Sequence, residues 1–438
     1  MRCLSQGERH HIAWSSTDAT VRFCSLVLMR RLPATSTLRV LGFAVADALL
    51  LGVSWVLVYA VRFGQWPNLS RGPLGLVLAW LLIQYLLGTY TALARHQLNL
   101  GRQWRNCLVA AASVFALAVV ITGLRGEPWL STMSRSFLIP VLGLGFFSTQ
   151  ILRVSQANAH LWQPQEQWLM LVSARERQEL SQAIEAGGCA LPCGLEWRAV
   201  QGMPAIPTHL LGLLDLDGVV IGSEHQLMEE DRRTLLGWQD QGLRLLSVPG
   251  WSELFLRRLP PALVPPGWAE RVESFSHARS GPSARLKRLG DLVVSGLLLA
   301  LLLPLACLRK PALFTDRCSG RGGHSFVRLR LRASGRVGAL PQLINVWRGE
   351  MSLVGPRPLT LAVMQELQAR FPGAELRQWM RPGMTGWGRI AGPPPEEPDA
   401  VAWELGRDLY YLRNHSLLLD LRLLTTSVLT LFAPAPWP

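Results

Sequence analysis

The chain has 438 residues, 49% hydrophobic and only 17% charged, and its 44 Lys and Arg against 30 Asp and Glu leave a net charge of +14. A mean hydropathy of +0.21 excludes an ordinary soluble enzyme of this size, and the length allows two or three domains. The positive balance suits anionic lipid headgroups or phosphorylated substrates, whereas nucleic acid is set aside because no basic helix or aromatic-interleaved basic stripe occurs.

Residues 1–37 read as a cytoplasmic tail: their one apolar run, 23–29, is short and followed by Arg30 and Arg31, not by a signal-peptide cleavage site. Four apolar segments follow at 38–61, 74–90, 107–122 and 137–152, predicting a four-helix membrane domain over 38–153. The tail and the second connection (Arg95, Arg102, Arg105) carry more Arg than the first (Arg62, Arg71) and the third (Arg125, Arg135, offset by Glu127). That asymmetry places both termini in the cytoplasm. Asp47, in the first span, is costly in lipid and is expected to face a partner helix or water, or to snorkel. The seven cysteines are scattered, and Cys189 and Cys193 lack the second pair or spaced histidines of a zinc site, so reduced thiols are expected.

Residues 165–259 change character. Short apolar runs at 168–172, 218–221 and 243–248 suit buried parallel strands, and 175–186 and 226–239 have helical spacing, so a Rossmann-like α/β module is predicted. After its first strand the chain reads SARERQEL, without the glycine fingerprint that cradles a pyrophosphate. A Pro- and Gly-bearing linker spans 260–284.

Residues 285–310, RLKRLGDLVVSGLLLALLLPLACLRK, form an apolar run with basic flanks at both ends and Pro304 inside it. At ~1.5 Å per residue the run is shorter than a hydrocarbon core of roughly 30 Å. A short segment interrupted by proline, with both ends cytoplasmic, reads as a re-entrant hairpin; a spanning helix and a buried core helix are the alternatives. The domain from 311 to 438 then offers arginines on Gly- and Pro-rich turns: Arg357 in GPRP, and Arg381 and Arg389 around PGMTGW. The planar guanidinium fork suits bidentate phosphate contact, and Glu350, Glu404 and Asp408 could serve a hard cation or proton transfer. A solvated basic face toward anionic lipid explains the same residues. The closing run, 417–432, is amphipathic and suits an interface.

Four blocks, KRLGDLVVSGLLLALLLP, LPQLINVWRGEMSLVGPRP, RPGMTGWGRI and WELGRDLYYLRNHSLLLDL, together resemble the bacterial sugar transferases, the polyprenyl-phosphate glycosyl-1-phosphate transferases, over roughly 285–424. The N-terminal spans and degenerate α/β module resemble the larger architecture of that family. The resemblance implies a multi-pass protein of the bacterial inner membrane whose C-terminal part is a re-entrant helix plus a mainly helical α+β transferase domain. It also implies transfer of a sugar-1-phosphate from a nucleotide diphosphate sugar to undecaprenyl phosphate, initiating exopolysaccharide, O-antigen or capsule assembly, with Mg2+ as cofactor. A second copy of the chain is a further candidate partner. Carried over residue by residue, Arg330, Arg332, Arg357 and Arg381 are expected near phosphate. Asp408 is expected as the metal or site carboxylate, and Asp291, Ser295 and Pro304 in the re-entrant helix. In the family an Asp-Glu pair, whose Asp is the nucleophile, immediately precedes LPQL; here those positions are Gly338 and Ala339, and the loop before them is shortened. Neither residue carries a nucleophile or ligand. This departure favours the alternative of a catalytically degenerate homologue that binds lipid phosphate or nucleotide sugar, or scaffolds assembly.

Overall fold

The computed structural model describes residues 37–67, 71–90, 100–125, 135–160, 166–186, 193–199, 216–222, 243–264, 282–309, 313–331, 337–371, 373–390 and 400–432, with a few single positions between 233 and 240. It divides into two compact units, Met1–Leu161 and Trp162–Pro438.

Among the described residues the first unit holds the helices α1 (Thr37–Phe63), α2 (Arg71–Leu86), α3 (Leu100–Arg125) and α4 (Arg135–His160). Stretches of α1, α3 and α4 (Val40–Phe63, Gln103–Ile121 and Ser136–Ser155) are long and apolar enough to cross a membrane, while the apolar part of α2 is shorter, Leu74–Leu86. Helices α3 and α4 outrun their predicted apolar segments because polar turns, such as RQWRN before Cys107, continue the same helices. Leu41, Val45, Leu49, Val53, Leu57 and Val61 recur every fourth residue along α1 and are 48–87% exposed. A continuous aliphatic stripe of that length is at home against lipid tails, not water. Inside, Leu51, Trp55, Trp80, Ala110 and Phe137 pack together, with Trp55 edge-on to Phe137 at 5.9 Å. Asp47 meets a partner helix: its Oδ2 accepts from Arg153 Nη2 at 2.8 Å and from the Tyr90 hydroxyl at 3.0 Å, all three buried. The chain is a membrane protein with an α/β part.

In the second unit, β1 (Glu166–Val172), β2 (Cys193–Ala199), β3 (Gly218–Ile221) and β4 (Arg244–Ser247) form a parallel sheet of order β2-β1-β3-β4. Strand β2, which sequence reading missed, lies at the edge. Its run CGLEWRA lacks the continuous apolar character that the buried β1 and β3 show. The predicted helix at 226–239 lies largely outside the described residues, as does 265–281 of the predicted linker. Helix α5 (Ala174–Ala186) opens at the point where the strand order switches sides, between β1 and β3. Ser173 Oγ accepts from Glu176 N at 3.2 Å and Glu176 Oε2 accepts from Ser173 N at 3.0 Å, a capping box. The buried Glu176 carboxylate therefore takes the helix N-terminus where a dinucleotide fold seats its phosphates. Helix α6 (Val248–Phe255), capped by Ser247 Oγ, covers the sheet with Trp251 and Phe255.

Helix α7 (Pro282–Arg309) runs through Pro304 as one helix where the sequence suggested a hairpin break. The leucine-rich residues on either side favour helix strongly enough to continue past the single missing donor. Its polar and apolar faces are reversed relative to a soluble helix: Asp291 and Ser295 are buried, while Leu286, Leu289, Val293, Leu297 and Leu301 are 56–71% exposed. Lys287 and Arg288, read from sequence as flanking charges, are used internally. Lys287 Nζ bonds Asp420 Oδ2 and the Val354 carbonyl, and Arg288 donates to the Val346 and Trp347 carbonyls.

The hairpin β5 (Leu313–Ser319) and β6 (Ser325–Leu331) follows, then α8 (Gln342–Arg348), β7 (Ser352–Val354) and α9 (Leu361–Arg370). β8 (Gly383–Thr385), α10 (Trp387–Ile390), α11 (Ala400–Asn414) and α12 (Leu417–Phe432) complete the chain. Their core includes Val346, Met351, Val354, Met364, Leu405, Leu409 and Leu412. Leu259 and Val264, placed by sequence at the edge of a linker, are buried in this core. Helix α12 leaves Leu418, Leu421 and Val428 exposed and buries Asp420 and Leu423.

Candidate functional site: a glycine-floored, arginine-walled cleft

Strands β7 and β8 run parallel, with Ser352 opposite Gly383 and Val354 opposite Thr385. Just past β7, Gly355 N donates to the Thr385 carbonyl at 2.9 Å and Gly383 N donates to the Pro356 carbonyl at 2.8 Å. The main chains come so close here that a Cβ on Gly355 would lie 3.0 Å from Gly383 N, and one on Gly386 would collide with the Gly355 carbonyl. Glycine is required by space. These glycines form the floor of a shallow, tightly packed cleft whose walls include Arg357, Arg389, Glu404 and Asp408.

Arg357 reaches the cleft from the GPRP turn with 53% of its side chain exposed, its Nη1 3.3 Å from Glu404 Oε2. Asp408, one turn beyond Glu404 on α11, is buried and pairs with the equally buried Arg377 at 2.5 Å. Arg377 Nη2 also donates to the Arg357 carbonyl at 2.9 Å, so the Arg377 ion pair braces the turn that carries Arg357. Arg389 donates to the Met384 carbonyl. Its pKa is pulled down first by desolvation and then by Arg357, with Arg328 and Arg330 adding to the effect and Glu404 opposing it. Four guanidiniums thus act on one another across the cleft and the β6 side of the domain. An excess of positive potential at the exposed Arg357 and Arg389 suits a phosphate anion.

Burial pushes Asp408 up to about 6 against the pull of Arg377, with Glu404 adding to the rise. Because the folded value lies above the unfolded 3.8, this group's stabilising contribution is fully present below pH 3.8 and is lost as the pH rises through about 6. The loss amounts to about 3 kcal/mol at ~1.4 kcal/mol per unit. The thermal midpoint of wild type relative to Asp408→Asn is therefore expected to fall between pH 4 and pH 7. Parallel profiles for the two proteins would contradict this assignment.

The structure brings Arg357 and Asp408 to one cleft and places the other sequence-named residues elsewhere. Arg381 donates through Nε to the Gly349 carbonyl at 2.9 Å, at the C-terminal end of α8 beside Arg288. Arg330 is exposed on β6, opposite Phe314, and Arg332 lies outside the described residues. Asp291 accepts from Ser352 Oγ at 2.7 Å and from Leu353 N at 3.1 Å, anchoring α7 to β7. Ser295 is fully buried, its hydroxyl 3.4 Å from the Leu292 carbonyl. Pro304 lies within α7, and its side chain is outside the described part. Gly338 and Ala339 belong to a 3-10 turn, Val337–Ala339, with Gly338 buried. Tyr411, three residues beyond Asp408 on α11, donates to the Asp420 carboxylate. Of the other carboxylates, Asp316 pairs with Arg328 at 2.6 Å and Glu350 accepts from Asn345 at 2.7 Å. Sequence reading missed Arg377; it named the GPRP and PGMTGW turns but not that their glycines pack against one another.

Magnesium, which the resemblance implies, needs oxygen ligands that converge. Among the described residues no three His, Cys, Asp or Glu side chains are grouped to hold a metal ion. Glu404 and Asp408 are committed to Arg357 and Arg377, and positions 338 and 339 offer no donor side chain. The described residues of the cleft do not fit the ion.

The profile of the family described as Bacterial sugar transferase matches residues 333–434. The UDP-glucose:undecaprenyl-phosphate glucose-1-phosphate transferase of Caulobacter vibrioides is 32% identical over 181 residues, covering 32% of this chain and 68% of that protein. The chain belongs to the bacterial sugar transferases. An uncharacterized sugar transferase, EpsL, of Bacillus subtilis is 38% identical over 125 residues, 26% of this chain and 56% of that protein. The UDP-N-acetylgalactosamine-undecaprenyl-phosphate N-acetylgalactosaminephosphotransferase of Aeromonas hydrophila is 32% identical over 96 residues, 22% of this chain and 23% of that protein. The matches of this sugar transferase to EpsL and to the Aeromonas protein thus span about half and about a quarter of those relatives. The family match includes the whole cleft, from Gly355 to Asp408, and also positions 338 and 339.

Proposed function

We propose that the chain transfers a sugar-1-phosphate from a nucleotide diphosphate sugar to undecaprenyl phosphate at the cytoplasmic face of the bacterial inner membrane, as a multi-pass protein with both termini inside. The observation that carries this reading is the glycine-floored cleft walled by Arg357 and Arg389. The exposed guanidiniums of Arg357 and Arg389, held on this rigid glycine crossing, suit phosphate oxygens and offset charge that develops during phosphoryl transfer. Helix α7 supports a seat at the membrane: its leucines point outward, and Asp291 ties it to Ser352 and Leu353 of β7, the strand that leads into Gly355. The relatives named for undecaprenyl-phosphate transfer support the substrate classes.

Gly338 and Ala339 favour a second reading, a homologue that binds these ligands without transferring phosphosugar. Glu404, with 18% of its side chain exposed, is more open to solvent than Asp408 at 3%. The test is nucleoside monophosphate release by the detergent-solubilised full chain, given undecaprenyl phosphate and a panel of nucleotide diphosphate sugars, with and without magnesium. A parallel sample carries Gly338→Asp with Ala339→Glu. Release by the natural chain at any rate above the protein-free control is the expected result, and loss of that release in Glu404→Gln would place Glu404 in the reaction, as a reacting group or as the holder of Arg357. Silence with sugar nucleotide still bound selects the second reading; silence without binding sinks both.

A further inference from the structure

We infer that the α/β module is a working part of the cleft, setting the position of α11 and with it Glu404 and Asp408. The inference rests on the transferase reading only for its choice of ligand probe. The segment 256–264 is shared between two cores: Leu256 and Leu263 pack with the sheet of the module, and Leu259 and Val264 with the C-terminal domain. On the module side, α6 is locked by Trp251 stacked on Phe255 at 5.0 Å and by Phe255 edge-on to Trp168 of β1 at 5.5 Å. Arg258 adds a bond to the Ala183 carbonyl of α5. This anchor gives the segment a fixed base.

From that base three contacts reach the helices of the cleft. Leu259 N donates to the Gly406 carbonyl at 2.9 Å, and a side chain on Gly406 would meet the Leu259 carbonyl and the Pro261 ring. Gly406 lies between Glu404 and Asp408, so the one position of α11 that must lack a side chain is the one the module presses against. Arg257 holds φ at +52°, a conformation L-residues seldom adopt; its carbonyl accepts from Trp387 Nε1 at 3.1 Å and its guanidinium lies 5.6 Å from the Trp387 ring. Trp387 opens α10, which carries Arg389. At the far end of α11, Arg413 Nη1 pairs with Glu253 Oε2 of α6 at 2.5 Å. Burial raises Glu253 to about 7 against the pull of Arg413, so the pair is charged at pH 8.

Contacts at residues 406 and 413 fix both the tilt and the rotation of α11. The Arg357–Glu404 pair, at 3.3 Å, has little room for either to change. Gly406, Glu253 and Arg413 are therefore positioning residues, and whatever binds or deforms the module acts on the cleft.

The test is a charge swap in the full detergent-solubilised chain at pH 8: Glu253→Arg, Arg413→Glu, and the two combined. UDP-glucose affinity is measured by titration calorimetry, and amide exchange of residues 400–414 by mass spectrometry. Each single change should weaken UDP-glucose binding at least fivefold and speed exchange in α11, and the combined swap should return both to within about twofold of wild type. If Arg413→Glu fails to fold, Arg413→Gln carries the same comparison. Unchanged exchange in the single variants overturns the inference. So does faster exchange with unchanged affinity, which would make the pair a packing contact and nothing more. If wild type binds no UDP-glucose, the donor from the panel that it binds best replaces it; binding of none counts against the transferase reading, and the exchange data then decide the coupling alone.

Discussion

Arg377→Met is expected to destabilise the C-terminal half of the protein by about 3–5 kcal/mol, the usual cost of removing one partner from a buried ion pair. Arg377 and Asp408 expose 5% and 3% of their side chains, so water cannot replace the lost guanidinium. In a domain of this size the change corresponds to a fall in thermal midpoint of roughly 6–20 °C. The loss should shrink at pH 5, because Asp408, already raised to about 6, then accepts a proton and no longer leaves a bare charge. Arg377→Met combined with Asp408→Leu should recover most of the stability, since two apolar groups need no partner. A midpoint shift below 2 °C for the single change, or no recovery in the double, would show that the pair does not hold the cleft together.

The second large effect belongs to the membrane unit. Arg153→Leu strands Asp47 among Trp80, Tyr90 and apolar neighbours, and Asp47→Leu strands Arg153. A charged side chain at the centre of a membrane helix costs about 2.5–3.5 kcal/mol on insertion scales, and the pair removes that cost for both residues at once. Each single change should therefore lower the thermal midpoint in detergent and reduce the yield of full-length protein in membranes. The combined change should be milder than either alone, with a coupling energy of about 2 kcal/mol or more in a double-mutant cycle. Coupling below about 0.5 kcal/mol would mean that the helices meet through their apolar faces alone.

What could be read from sequence follows from how local each signal is. The strands at 168–172 and 218–221 were legible because both faces are buried and every residue is apolar or glycine. Strand β2 was not, because an edge strand has one neighbour and can mix Glu196, Trp197 and Arg198. The span at 38–61 was legible from composition, but the partner of its Asp47 stands 106 residues away on α4, beyond any periodicity. In the cleft, Arg357 and Asp408 could be named from the blocks that carry them. Their organisation depends on Arg377, which no local pattern marks and whose role appears only when the turn at 374–379 packs against α11. Pro304 shows the opposite error: a strong local rule, that proline ends helices, lost to the leucine-rich run around it.

The crossing of Gly355, Gly383 and Gly386 leaves the cleft with a floor that has no chemical identity. The Gly355 and Gly383 amides are already spent on the Thr385 and Pro356 carbonyls, so the floor gives a ligand a close-packed base but cannot tell one ligand from another. Discrimination must then come from what stands around it, on the α10 and α11 side and on the turn carrying Arg357. Substitutions at the rim can redirect selectivity while the floor stays as it is; substitutions in the floor can only close it.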